Sequence, residues 1–203
     1  MPWLNREGYT PPMGVGKEDS RMLKNTYSYK DYKNGKFIMI YFAFKIAARA
    51  GSAWSLLIAK ESGSMYSHIE VWLDGPRENA RCFSSREPHG AGFQQINLTD
   101  AMWDIFPVFF TPEQESMVNG YCLGCDGKIY DGLGLIGYQF KNASIHDFHA
   151  VFCSEVGAAI LQKCGGRSMK TVPWQTSPGD LANFVKSDPL NNVVYNLSPK
   201  VQS

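Results

Sequence analysis

Apolar positions along this 203-residue chain fall into two spacings, strand-like before residue 110 and helix-like after it. Lys36 to Phe44 is a dense aromatic and β-branched run, which predicts a buried strand. Ile46 to Lys60 carries helix formers with apolar residues near helical spacing, predicting one helix. Short strand signals follow at Ser67–Leu73, Ala80–Ser85, Gly92–Leu98 and Trp103–Phe110. The first ends in Asp74-Gly75-Pro76, a turn. Such short, punctuated spacing fits an antiparallel meander rather than βαβ units.

The last third reads as helical. Thr111-Pro112-Glu113-Gln114 combines a Thr N-cap, Pro in the first turn and Gln at the capping-box position, starting a helix that runs to about Leu123. Ala150 to Lys163 is the strongest helical segment, and Gly165-Gly166 stops it. Ser177-Pro178-Gly179-Asp180 begins another, and Asn192–Leu197 suits a closing strand. Residues 1–36 are polar and rich in Gly, Pro, Tyr and Lys, an irregular arm ahead of a domain spanning 37–203. The expected class is α+β, a β-meander or barrel packed against helices.

Composition narrows the function classes. Hydrophobic content of 44% and charged content of 19% suit a globular domain. A net charge of +1, with scattered Lys and Arg, gives no electrostatic footprint for nucleic acid or an anionic membrane. No run reaches transmembrane length, and the N-terminus lacks the basic-then-apolar order of a signal peptide. The five cysteines (Cys82, Cys122, Cys125, Cys153, Cys164) are odd in number, which favours a reducing, cytoplasmic setting.

Two distant segments carry the chemistry. Cys153, in Val151-Phe152-Cys153-Ser154-Glu155, sits in the first turn of an expected helix. His68, in Tyr66-Ser67-His68-Ile69-Glu70, sits on an expected strand. The thiolate is the reactive form of cysteine, and a helix N-terminus or an imidazole promotes it. Taken singly, a buried cysteine and a structural histidine are the commoner fates. Strand alternation puts Tyr66 and Glu70 on the face of His68. Glu70 is a candidate to orient the imidazole, while Ser84 or Ser85 of the next strand is geometrically easier. Glu155 suits the positive helix end.

Other motifs carry less. Cys122-Leu-Gly-Cys125 lacks a second ligand pair for zinc, and His146 and His149 lie in a polar loop. Gly132, Gly134 and Gly137 match a dinucleotide fingerprint without its βαβ setting. No metal or cofactor is expected.

Taken together, Ser67-His68-Ile69-Glu70, Cys82-Phe83-Ser84-Ser85-Arg86, Tyr130-Asp131-Gly132-Leu133-Gly134 and Phe152-Cys153-Ser154-Glu155 resemble the permuted papain-fold group of the NlpC/P60 superfamily. That group includes YiiX- and YaeF-like, poxvirus and phage proteins, and the lecithin retinol acyltransferase-like proteins share its permuted order. The resemblance covers roughly residues 37 to 185. It implies a papain-like fold in circularly permuted order, with Cys153 as nucleophile and His68 as general base. It also implies a glutamate on the strand after the histidine strand, where this chain has Ser84 and Ser85, with Glu87 just beyond. The expected catalytic set is therefore Cys153, His68, Glu70 and Ser85, with Tyr66, Ser84, Ser154 and Tyr138 binding substrate. The implied activity is hydrolysis of a peptide or isopeptide amide, extending to peptidoglycan stem peptides. An inactive binding or virion-structural protein and a lipid acyltransferase or acyl hydrolase are the alternatives. A phage-encoded or virion-associated origin fits the same likeness.

Overall fold

The computed structural model describes residues 37–131 and 150–188. The expected arm over 1–36, the glycine cluster 132–137, Tyr138, His146, His149 and the expected strand 192–197 lie outside the described residues.

Five strands form one antiparallel sheet: β1 (Ile38–Ile46), β2 (Tyr66–Asp74), β3 (Ala80–Arg86), β4 (Gly90–Ile96) and β5 (Trp103–Phe110). Their order is β4-β3-β2-β1-β5. The first four make the expected meander, and β5 returns to the other side of β1. The expected single helix after β1 is two, α1 (Ala47–Ala50) and α2 (Ala53–Glu61). Gly51 breaks it with φ +67°, a left-handed conformation that glycine adopts without a Cβ penalty. Ser52 restarts the helix by accepting the Ser55 N–H at 3.1 Å.

α3 (Pro112–Cys125) follows β5, with the expected capping box. Gln114 N–H donates to Thr111 Oγ1 at 3.2 Å, and Thr111 N–H donates to Gln114 Oε1 at 2.9 Å. Two short strands, β6 (Ile129–Tyr130) and β7 (Ala150–Val151), pair in parallel. The helix expected from Ala150 thus begins three residues later, as α4 (Cys153–Ala159), and continues as a π-helical turn over Ile160–Cys164. Ala150 and Val151 are taken by the ladder with β6. α5 (Pro178–Ser187) closes the described chain with Ser177 as N-cap.

The sheet has two faces. Ile40, Phe42, Phe44, Ile69, Val71, Phe83, Val108 and Phe110 point into the main core, where Val156, Ile160 and Leu181 meet them. At Gly157 a Cβ would stand 2.6 Å from Leu181 Cδ2 and 3.0 Å from Ile69 Cδ1, so α4 lies closer to the sheet than a side chain permits. Ala43, Ala80, Cys82 and Leu98 form a smaller cluster, joined by Trp72, Ile96, Trp103 and Ile105. The chain after α4 is tied down by buried Arg167. Its Nε donates to Asp188 Oδ2 at 2.8 Å, and its guanidinium lies 4.8 Å over the Phe110 ring.

β4 is an end strand, and the loop after α3 covers its start. Ala91 N–H donates to the Lys128 carbonyl at 2.8 Å, and Gly127 N–H donates back to the Ala91 carbonyl at 2.9 Å. Gly90, at φ +75°, allows this crossing, because a Cβ there would meet the Lys128 carbonyl oxygen at 2.2 Å. Among the described residues no helix is long and apolar enough to cross a membrane.

Candidate active site

The β1–β2 ladder pairs Lys45 with His68 and then Ile46 with Tyr66, leaving Ser67 as an extra residue. This bulge breaks the strand alternation. Tyr66 therefore turns into the core, its ring 5.4 Å from that of Phe44, while Ser67 and His68 both line a cavity of about 690 Å³. Tyr66 thus faces away from His68, whereas unbroken strand alternation predicts a shared face. Tyr66 Oη donates to Asp104 Oδ2 at 2.6 Å and accepts from Lys186 Nζ at 2.8 Å, and it does not line the cavity.

The β2–β3 ladder runs only from Val71–Phe83 to Asp74–Arg81. At Glu70 and His68 the two strands no longer pair. The chain leading into α4 arrives at this opening, where Ser85 Oγ donates to the Val151 carbonyl at 2.6 Å. Two residues on, Cys153 opens α4. The thiol belongs to the main core and the imidazole to the cavity face, and they meet where β2 and β3 part.

His68 Nε2 lies 2.8 Å from Glu70 Oε1. With Nε2 so engaged, Nδ1 is the nitrogen left for Cys153. Burial acts to lower the His68 pKa. The charge and hydrogen bond of Cys153, followed by the hydrogen bond and charge of Glu70, outweigh it and raise the value to about 9. The imidazole between Cys153 and Glu70 is thus favoured as a cation.

Glu70 is itself fixed. Gln94 Nε2 lies 3.1 Å from its Oε1 and 2.9 Å from its Oε2, and also 3.0 Å from Ser84 Oγ. Arg86 Nε stands 3.1 Å from Glu70 Oε1, an ion pair whose angle falls short of a hydrogen bond. The carboxylate is fully buried, and these contacts compensate its charge. Glu70, two residues along the same strand, is the partner of His68. Neither serine of β3 takes that place: Ser84 Oγ faces Gln94, and Ser85 is bonded to the backbone ahead of α4.

At the helix start, Phe152 N–H donates to Glu155 Oε2 at 3.4 Å. Burial first, opposed by that hydrogen bond and reinforced by Asp131, raises the Glu155 carboxyl from 4.5 to about 7. Ser154 is fully buried beside the thiol, and its Oγ has no hydrogen-bond partner among the described residues. Like Cys153, it does not line the cavity, where it was expected to bind substrate. Ser84 is likewise buried and does not line the cavity, its Oγ accepting from Gln94, which also holds Glu70. Tyr138 lies outside the described residues.

The other cysteines stand apart from this chemistry. Burial raises the pKa of Cys82, Cys122 and Cys125, and pushes that of Cys164 up to about 11. Cys122 and Cys125 are buried on α3. Among the described residues no group of three or more His, Cys, Asp or Glu is placed to hold a metal.

Lys45, Arg86, Gln94 and Tyr130 were not singled out by sequence reasoning, and all four line the cavity. Arg86 and Tyr130 belong to segments that carry the family resemblance. The Tyr130 phenol pKa is raised by burial, then by the charges of Cys153, Glu87 and Asp131. The remaining lining includes Trp54, Ile58, Pro88, Ile96 and Trp103. No family model matches the chain, and no curated protein matches it closely enough to name a relative.

Proposed function

We propose that the protein is a cysteine hydrolase of amide bonds, built as a papain-like thiol hydrolase in permuted order, in which Cys153 is the nucleophile, His68 the acid–base and Glu70 the orienting carboxylate. The observation that carries this reading is His68 itself, a single imidazole with Glu70 on Nε2 and Cys153 on its other side. A nucleophile, its base and an orienting third group form the constellation that thiol acyl transfer requires. The cavity beside His68 supplies room for a peptide-sized substrate.

Cys153 Sγ, as thiolate, attacks the amide carbonyl and forms the C–S bond. The His68 imidazolium gives its proton to the leaving nitrogen as the C–N bond breaks, releasing an amine and an acyl-thioester. Water then attacks the thioester, with neutral His68 taking its proton. The acid leaves, and the thiolate–imidazolium pair is restored. Backbone N–H groups at the start of α4, including that of Cys153, face the developing oxyanion. Peptide and isopeptide amides, stem peptides of the cell wall among them, are the substrate class.

Iodoacetamide alkylation of each cysteine from about pH 5 to 9, read by peptide mass, tests the reading. An unperturbed thiol titrates near ~8.5. Cys153 alone reacts fast below pH 7, and His68→Ala removes that advantage. Alkylation of Cys153 no faster than that of Cys82 or Cys164 would overturn it and leave a non-catalytic protein on the same fold.

A further inference from the structure

Lys45 stands directly opposite His68 in the β1–β2 ladder, and Trp103 stands opposite Lys45 in the β1–β5 ladder. All three side chains line the cavity, so they form one row across its floor. Directly opposed residues of an antiparallel pair have Cβ atoms about 4.5–5.5 Å apart. The Lys45 stem therefore starts beside the imidazole. Its Nζ lies 6.0 Å from the centre of the Trp103 ring.

The charges around the cavity are unequally engaged. Arg86 is held against Glu70, and Glu70 is shared between Arg86 and His68. Glu87 is exposed on the turn after β3. Lys45 is half-buried, and among the described residues no carboxylate pairs with it. With His68 protonated, the cavity carries an uncompensated positive charge next to the reacting centre.

We infer that Lys45 is an anion anchor that selects amide substrates bearing a carboxylate within about one residue of the scissile bond. The inference rests on Cys153 and His68 being the reacting pair. A lysine ammonium is a point charge on a flexible stem, suited to a carboxylate of variable placement. Trp103 and Trp54 give the same cavity apolar walls for the rest of the substrate.

Two small probes separate charge selection from reactivity. Iodoacetate carries a carboxylate one carbon from the electrophile, and iodoacetamide is its neutral counterpart. The ratio of their alkylation rates at Cys153 is measured in the wild type, in Lys45→Met and in Lys45→Arg. The anchor predicts a ratio that drops about fivefold in Lys45→Met, the order expected for one nearby charge in a partly hydrated site. It also predicts that Lys45→Arg keeps the ratio and that salt lowers it in the wild type. An unchanged ratio in Lys45→Met, with normal iodoacetamide reactivity, overturns the anchor and leaves the Cys153–His68 pair standing. Loss of iodoacetamide reactivity in Lys45→Met overturns it too, because Lys45 then supports the pair rather than selecting substrate. A wild-type Cys153 slow toward both probes overturns the hydrolase reading, and the anchor with it.

Discussion

His68 and Glu70 touch at 2.8 Å although only one residue lies between them on the same strand. Their Cα atoms are about 6.6 Å apart at a rise of about 3.3 Å per residue. An imidazole and a glutamate on one face can lean together across that distance, provided something holds the carboxylate. Arg86 at the end of β3 and Gln94 from β4, one strand further out, do so.

Replacing Glu70 by Gln removes the charge and weakens the hydrogen bond that help raise His68 to about 9. The imidazolium then loses its proton at lower pH, because the cation is less stabilised. The His68 ring resonance, followed by NMR, should titrate near pH 9 in the wild type and clearly lower in Glu70→Gln. Amide turnover in the variant should lose its alkaline limb at correspondingly lower pH. An unshifted titration would mean that Glu70 does not orient or charge the imidazole.

Glu155 links stability to pH. Its folded carboxyl titrates near 7 against an ordinary 4.5, so the folded state holds this proton more tightly than the unfolded chain. The stabilisation is complete below about pH 4.5 and is lost as pH rises towards 7. The shift corresponds to about 3 kcal/mol. Glu155→Gln keeps an acceptor for the Phe152 N–H without the charge. Urea denaturation should show the variant more stable than the wild type at pH 8, with the difference closing by pH 4.5. A pH-independent difference would contradict the assignment.

Gly157→Ala tests how closely α4 lies on the sheet. The new methyl meets Leu181 and Ile69 inside normal contact distance. Overpacking costs about 1–3 kcal/mol, offset by the roughly 1 kcal/mol that alanine gains over glycine in a helix. A net loss of up to about 2 kcal/mol is expected from thermal or urea unfolding. A stabilised variant would show that the helix can withdraw freely.

Much of the framework was legible because it rests on local signals. The strands from β2 to β5 show alternation or aromatic density between turn residues, and α3 and α5 carry Ser or Thr caps with Pro in the first turn. The start of α4 was hidden. Its N-cap is Phe152, which has no capping oxygen, so the apolar run from Ala150 reads straight into the helix. The orientation of Tyr66 was hidden by the Ser67 bulge, because counting in twos assumes unbroken pairing.

The site was half legible for a related reason. Cys153, His68 and Glu70 could be named from their own segments. Preferring Ser84 and Ser85 as partners assumed that β3 stays zipped to β2 beside the histidine, and the ladder ends at Val71–Phe83. Lys45, Arg86 and Gln94 join through pairing between strands, which no local spacing announces.

The loop lying across Gly90 and Ala91 has a bearing on solubility. An end strand displays unpaired amides and carbonyls, a template on which a second chain can add itself. At Ala91 both backbone groups already belong to Lys128 and Gly127 of the same molecule. The intramolecular crossing therefore blunts this border of the sheet where β4 begins, so a foreign strand cannot dock there without first displacing the loop.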